Sequence, residues 1–247
     1  MGFNVLEDET LEDLQLNGLF LIQKRDAFRF GMDAVLLANF VRAKSGDKVV
    51  DLGTGTGIIS VILSAKTKAG KITGIEIQPE IADMALRSIE GNGLGERIEI
   101  RVMDIKDCPE KLGTGYDVVV TNPPYTRYGS GLINPDETKA IARHEILCTL
   151  GDVISSSADL LKFHGELYMV HRPDRLCDIM TEMRRLGVEP KELRLVCPRA
   201  GDPASLILIK GINKGNPGMS LLPPLYIYDA SGNYSNDARV CYGSPEI

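Results

Sequence analysis

The feature that most constrains the fold is the run Val49-Val50-Asp51-Leu52-Gly53-Thr54-Gly55-Thr56-Gly57, where a short apolar segment breaks into a turn with glycine at alternate positions. Directly after it, Ile58 to Ala65 carries a helical apolar pattern. Strand, glycine turn and helix in that order make a ligand cradle, because glycine admits torsions closed to other residues and lets a ligand approach the main chain. Two phosphate readings weaken at once. The dinucleotide fingerprint requires glycine at the sixth position of the turn, which is Ile58 here, and the phosphate-binding loop requires a Gly-Lys-Ser/Thr ending that is absent. Asp51, just before the turn, suits the cationic end of an amino acid better than a pyrophosphate.

The pattern around this turn repeats. Val49–Leu52, Ile72–Ile77 and Ile98–Met103 read as strands, with helical patterns at Ile58–Ala65 and Pro79–Glu90 between them. Strands alternating with helices imply a parallel sheet with crossover helices. Glu76 ends the second strand about 20 residues beyond the turn, where doubly wound folds place an acid that accepts hydrogen bonds from ribose hydroxyls. Asp104 ends the third. Asp51, Glu76 and Asp104 are therefore expected along one edge of the sheet, the edge at which such sheets bind ligands.

A chain of 247 residues with 43% hydrophobic content is ordinary for one α/β domain with a sizeable core. Its formal net charge of -6 argues against generic attraction to nucleic acid or anionic membrane, and leaves room for a local basic patch. The five cysteines are scattered and never spaced Cys-x-x-Cys, so they suggest neither a disulfide framework nor a zinc site. Reduced thiols, an acidic start without a signal-peptide pattern and no apolar run of membrane-spanning length set the expectation of a cytoplasmic protein with no metal and no membrane partner.

Before the cradle, the acidic start reads as mobile, and Leu14–Gln23 reads as a hairpin turning at Asn17-Gly18. Phe28-Arg29-Phe30 follows, with Asp33 placed to cap a helix carrying Ala34, Leu37, Ala38 and Val41. After the third strand, Tyr116–Thr121 runs into Asn122-Pro123-Pro124-Tyr125, the most specific signal in the chain. Asn-Pro and Pro-Pro both make turns, yet the set also matches one chemistry. The nitrogen of an exocyclic adenine amine or of an amide is a poor nucleophile, because its lone pair is delocalised into a π-system. The side-chain oxygen of Asn122 and the carbonyl of Pro123 can each accept one N–H and turn that lone pair toward an electrophile. The prolines stiffen the array, and Tyr125 offers a ring for a planar target to stack on.

Together, the Asp-Leu-Gly-Thr-Gly-Thr-Gly turn and Asn-Pro-Pro-Tyr resemble the class I S-adenosylmethionine-dependent amino-methyltransferases, whose targets are adenine N6 in DNA or RNA, or the glutamine amide of release factors. The Gln23–Leu37 block, Arg143-His144-Glu145 and the tail Pro223-Pro224-Leu225-Tyr226-Ile227-Tyr228 are similar to the bacterial family that methylates N6 of an anticodon-loop adenine in a valine tRNA. That resemblance spans nearly the whole chain. It implies S-adenosylmethionine as cofactor, tRNA as substrate, and Asn122, Pro123 and Tyr125 as catalytic residues. For the cofactor it implies Asp51, Gly53, Thr54, Gly55, Gly57, Glu76, Asp104 and Asn122.

Downstream, Thr126–Glu137 is polar and glycine-rich, suited to a flap; Asp152 is placed to cap a helix through Leu161; and Leu193–Cys197 with Ser205–Ile209 reads as a closing antiparallel pair. Arg172, Arg175, Arg199, Lys210 and Lys214 form either a phosphate-contacting patch or ordinary solubilising charge. Arg29, Tyr125, Arg172, Arg199 and Lys210 are the candidate RNA contacts. The expected architecture is a Rossmann-like α/β fold, a seven-stranded mostly parallel sheet with helices on both faces and a closing antiparallel strand. Residues 1–44 supply a hairpin and helix to the same domain, and 45–247 the methyltransferase domain. The rivals are a glutamine-amide methyltransferase and a non-catalytic cofactor- and RNA-binding module.

Overall fold

Runs of valine and isoleucine form the centre of the sheet because both of its faces are covered. In the computed structural model, which describes residues 2–25, 31–123 and 148–241, five parallel strands make up this centre. They are β3 (Lys48–Leu52), β4 (Lys71–Glu76), β5 (Ile98–Val102), β6 (Tyr116–Thr121) and β7 (Leu161–His171). β9 (Leu206–Asn213) is antiparallel between β7 and β8 (Val188–Cys197). Two-residue strands β10 (Ser220–Leu221) and β11 (Leu225–Tyr226) pair parallel with β8. The order is β10-β8-β9-β7-β6-β3-β4-β5, with β11 on β8. The nine-stranded sheet is thus the expected seven-stranded one, with its closing antiparallel strand, plus two short additions from the tail.

Alternation along the strands divides the core in two. Val49, Val118, Val120, Tyr168 and Val170 face helices α1 (Met32–Phe40), α2 (Ile58–Lys66) and α3 (Pro79–Gly91). Val50, Leu52, Val119, Leu167 and Met169 face the opposite layer, formed by the short α4 (Cys108–Leu112), α5 (Leu150–Leu160) and α6 (Leu176–Arg185). Inside the first layer Tyr168 is fully buried, edge-on to Phe40 at 5.6 Å, with its hydroxyl donating to Glu166 at 2.7 Å. Burial of the phenol and its carboxylate acceptor push the Tyr168 pKa far above its usual range.

Three local expectations are corrected. The hairpin pairs β1 (Glu9–Asp13) with β2 (Phe20–Lys24), so its first strand lies in the acidic segment read as mobile. That segment is anchored: Glu9 is 4 % exposed and forms two hydrogen bonds with the Arg87 guanidinium of α3, at 2.6 and 2.7 Å. Second, α1 is capped by Gly31, and Asp33 lies in its first turn. Third, α5 starts at Thr149, which closes a capping box with Asp152.

α3 also covers the open edge of β2, whose main-chain groups would otherwise lack partners. Ser88 Oγ accepts from Ile22 N at 2.9 Å, and the Asn92 side chain bonds both N and O of Phe20 at 3.0 and 2.7 Å. Because Glu9 and Arg87 are nearly dry, Arg87→Met is expected to cost about 3–5 kcal/mol by stranding a buried carboxylate. The double variant Arg87→Met/Glu9→Met should recover most of that loss in urea denaturation at pH 7. Arg87 holds the Glu9 carboxyl below its ordinary range. The pair's contribution is therefore full above that range and is lost as pH falls through the depressed value; the cost of Arg87→Met should shrink in acid.

Candidate active site

The candidate site is a row of residues at the carboxyl ends of adjacent strands. Register pairs Leu52 of β3 with Ile75 of β4 and with Thr121 of β6, and Glu76 with Val102 of β5. Asn122, Gly53, Glu76 and Val102 therefore stand side by side across β6, β3, β4 and β5. Thr121 Oγ1 donates to Leu52 O at 3.0 Å, which fixes β6 against β3 just below Asn122.

The glycine turn is held from beneath. Asp51 is fully buried, and its Oδ2 accepts from Thr54 Oγ1 at 2.6 Å and Ser60 Oγ at 2.9 Å, joining strand, turn and α2. Its Oδ1 is buried and has no hydrogen-bond partner. Gly53 and Thr54 donate their N–H groups to Ile75 O at 2.9 and 2.8 Å. Gly55 N donates to Glu76 Oε2 at 3.1 Å, and Gln78 N to Glu76 Oε1 at 2.9 Å. Turn and ribose-type acid are thus one hydrogen-bonded unit. Thr54 is corrected from a cofactor contact to a turn staple, because its hydroxyl points inward to Asp51 and it is 2 % exposed.

Gly53, Gly55 and Gly57 all have positive φ, at 74°, 57° and 89°. A Cβ built on Gly53 or Gly55 meets nothing within 4 Å, so open space lies over the turn. That space, a buried carboxylate oxygen with no partner below it, and Glu76 beside it fit a nucleoside carrying a cationic amino-acid tail. Asp104 stands at the next strand end, where its Oδ1 accepts from Lys106 N at 2.9 Å.

Asn122 is half-buried and Pro123 buried. Asn122 Nδ2 donates to Asp33 Oδ2 at 3.3 Å, while Asp33 Oδ1 accepts from Ala34 N at 2.9 Å. A carboxylate only accepts, so the amide presents its NH₂ to Asp33 and turns its carbonyl oxygen the other way. Sequence reasoning assigned Asp33 to a helix cap and missed this contact. The available signal was an acid in the first turn of the helix, two positions past the Gly31 cap.

The basic candidates separate. Lys210 is corrected: in mid-β9 it is 8 % exposed, pairs with Glu166 at 2.7 Å and lies over the Tyr168 ring at 5.5 Å. Arg175 pairs with Asp178 at 2.8 Å. Lys214 follows β9 at the opposite edge of the sheet. Arg172 follows β7 and Arg199 follows β8, both at the edge that carries Asn122. Neither forms an ion pair with a carboxylate among the described residues. Arg29 and Tyr125, with the Thr126–Glu137 segment and Arg143-His144-Glu145, lie outside the described residues. Among the described residues there is no metal-binding cluster, the five cysteines are free, and no helix is long and apolar enough to cross a membrane.

An open sheet of this order, with a glycine turn after its central strand and acids closing the next two, is the frame of a class I methyltransferase. Comparison with known proteins agrees. A family model described as "Methyltransferase small domain" matches residues 25–184, and the chain belongs to that family. A Porphyromonas gingivalis protein named tRNA1(Val) (adenine(37)-N6)-methyltransferase is 31% identical over 188 residues, covering 68% of this chain and 73% of the relative. A Bacteroides fragilis protein of the same name is 29% identical over 184 residues, covering 74% and 76%. In fold, the chain is similar to the crystal structure of a predicted O-methyltransferase from Agrobacterium tumefaciens, with TM-score 0.69, 23% identity, and 86% and 96% of the two chains covered.

Burial raises the Asp51 pKa to about 6 against its hydrogen bonds from Thr54 and Ser60. The folded state then binds a proton more tightly than the unfolded chain, so this group lowers stability progressively as pH rises from about 4 to about 6. Asp51→Asn should gain stability relative to the parent across that window and hold a constant difference above it. Denaturation midpoints of the two proteins at closely spaced pH values check this; a difference that does not change with pH contradicts it.

Proposed function

We propose that the chain transfers a methyl group from S-adenosylmethionine to the exocyclic N6 amine of an adenine in tRNA, working in the cytoplasm. The observation that carries this reading is the contact between Asn122 and Asp33. It turns a carboxamide oxygen away from its carboxylate partner at the strand end beside the glycine cradle. Membership in the methyltransferase family and the names of the curated relatives support the same activity.

The cofactor, when bound, supplies a methyl group on a sulfonium, an electrophile that needs no base before attack. The space over Gly53 and Gly55 admits its amino-acid end, with Asp51 beneath, and Glu76 accepts hydrogen bonds from its ribose. Asp104 borders the adenine side. Asn122 Oδ1 and the Pro123 carbonyl accept the two N–H groups of the target amine and orient its lone pair toward the cradle. As positive charge grows on that nitrogen these hydrogen bonds strengthen, so they contribute more in the transition state than in the ground state. Tyr125 stacks on the target ring. Asp33 is a positioning residue that acts through Asn122.

A labelling experiment and three variants test the assignment. Labelled cofactor offered to total RNA, DNA and protein should mark the small-RNA fraction; label in a Gly-Gly-Gln protein instead would establish the glutamine-amide activity. Asn122→Ala should lower kcat by about 10²- to 10³-fold with little change in cofactor affinity. Asp33→Ala should lower kcat by roughly ten-fold at nearly constant KM, the signature of an interaction made only in the transition state. Asp33→Asn, which keeps an acceptor, should restore most of the rate. Full single-turnover activity in Asn122→Ala would remove the chemistry from this side chain.

A further inference from the structure

One cluster at the catalytic edge takes no part in the chemistry above. The Tyr228 and Tyr234 rings stack with centroids 5.5 Å apart and planes 14° apart, and the Arg199 guanidinium lies over Tyr228 at 5.4 Å. The arrangement is built rather than incidental. Tyr228 N donates to Pro198 O at 2.9 Å, which ties the tail to the turn carrying Arg199. The two tyrosines face each other across an antiparallel bridge, and the loop between them is closed by Asp229 N to Asn233 O at 2.8 Å. Asp229 Oδ1 also accepts from Ser231 N and Asn233 N, at 2.8 and 3.0 Å.

Its position follows from topology. β8 runs parallel to β7 and β6, and β11 runs parallel to β8, so Arg199 and Tyr228 emerge at the same sheet edge as Asn122. Three strand spacings, β6 to β7 to β9 to β8, place the cluster about 14 Å along that edge. Arg172, at the end of β7, lies between. Among the described residues, the guanidiniums of Arg172 and Arg199 have no carboxylate partner, whereas Arg42, Arg87, Arg101, Arg175, Arg184, Arg185 and Arg194 each pair with one and Arg25, Arg97 and Arg239 donate to main-chain carbonyls. Tyr234 is 44% exposed. Aromatic faces beside a guanidinium suit bases, but only bases outside a duplex, since paired bases already stack on each other.

We infer that the Arg199, Tyr228 and Tyr234 cluster stacks an unpaired nucleotide flanking the target adenine, while Arg172 meets the intervening phosphates. This rests on the RNA-methylating function proposed above. It adds a requirement: the RNA is unpaired over several nucleotides, and the enzyme grips a base other than the one it methylates. On a chain with net charge -6, attraction to RNA cannot come from overall charge, so a local device of this kind is needed.

The test compares two synthetic RNA hairpins of equal length, one with a large unpaired loop containing adenines, the other fully paired up to a minimal loop. Full-length parent protein should methylate the first and bind it more tightly. Tyr234→Leu keeps bulk without a ring and should weaken binding of the looped RNA on the order of ten-fold, with affinity for the paired hairpin, cofactor binding by calorimetry and melting temperature unchanged. Tyr234→Trp should restore looped-RNA affinity, an effect that mere tail packing would not produce. Arg172→Gln should weaken binding and reduce the salt slope by about 1, whereas Tyr234→Leu should leave that slope alone. Undiminished looped-RNA affinity in Tyr234→Leu, while the parent methylates RNA, overturns the stacking role and leaves the function standing. A parent that labels no RNA overturns both.

Discussion

The buried carboxylate of Asp51 is the constraint on which the site depends. One of its oxygens holds Thr54 and Ser60, so a single side chain sets the angle between the central strand, the glycine turn and the helix that leaves it. Burying an acid this way is unfavourable unless it is hydrogen-bonded, and its raised pKa records the desolvation that remains. The return is rigidity. With the turn stapled from inside the protein, its outer surface stays open over Gly53 and Gly55, and Glu76 can bond Gly55 N from the neighbouring strand.

A second constraint is the use of the N-terminal segment. The hairpin and α1 precede the parallel sheet in sequence, yet the hairpin seats on α3 and α1 reaches the working edge. The Glu9 and Arg87 pair seats β1 and β2 on α3, and Asp33 of α1 reaches the Asn122 amide. The catalytic carboxamide is thereby positioned by residues nearly ninety positions earlier in the chain, so damage to the N-terminal segment is expected to reach the chemistry as well as stability.

Charge is distributed with similar economy. Most described arginines pair with a nearby acid, which suits an acidic protein, and Arg25, Arg97 and Arg239 bond main-chain carbonyls, while Arg172 and Arg199, without a carboxylate partner among the described residues, emerge at the edge that carries Asn122. Proximity in sequence was no guide to this. Lys210 belonged to the same basic stretch as Arg199, yet β9 carries it into the sheet beside Glu166.

What the sequence determined by itself was the local grammar: a strand breaking at Gly53, acids at successive strand ends, and Asn122-Pro123 directly after Thr121. These are short-range patterns, and the alternation of strands and helices leaves few topologies, so the sheet and its ligand edge were legible. Side-chain partners over long range were not. Thr54 turned inward to a buried carboxylate, Asp33 reached Asn122 with one oxygen while the other bonded its own helix, and Glu9 left an apparently solvated acidic run to meet Arg87. Each of these outcomes is decided by which polar group is buried beside which, and that is a property of packing between distant segments rather than of any stretch of chain. Only the tertiary structure brings such groups together, because a desolvated donor or acceptor must find its partner wherever the fold places one.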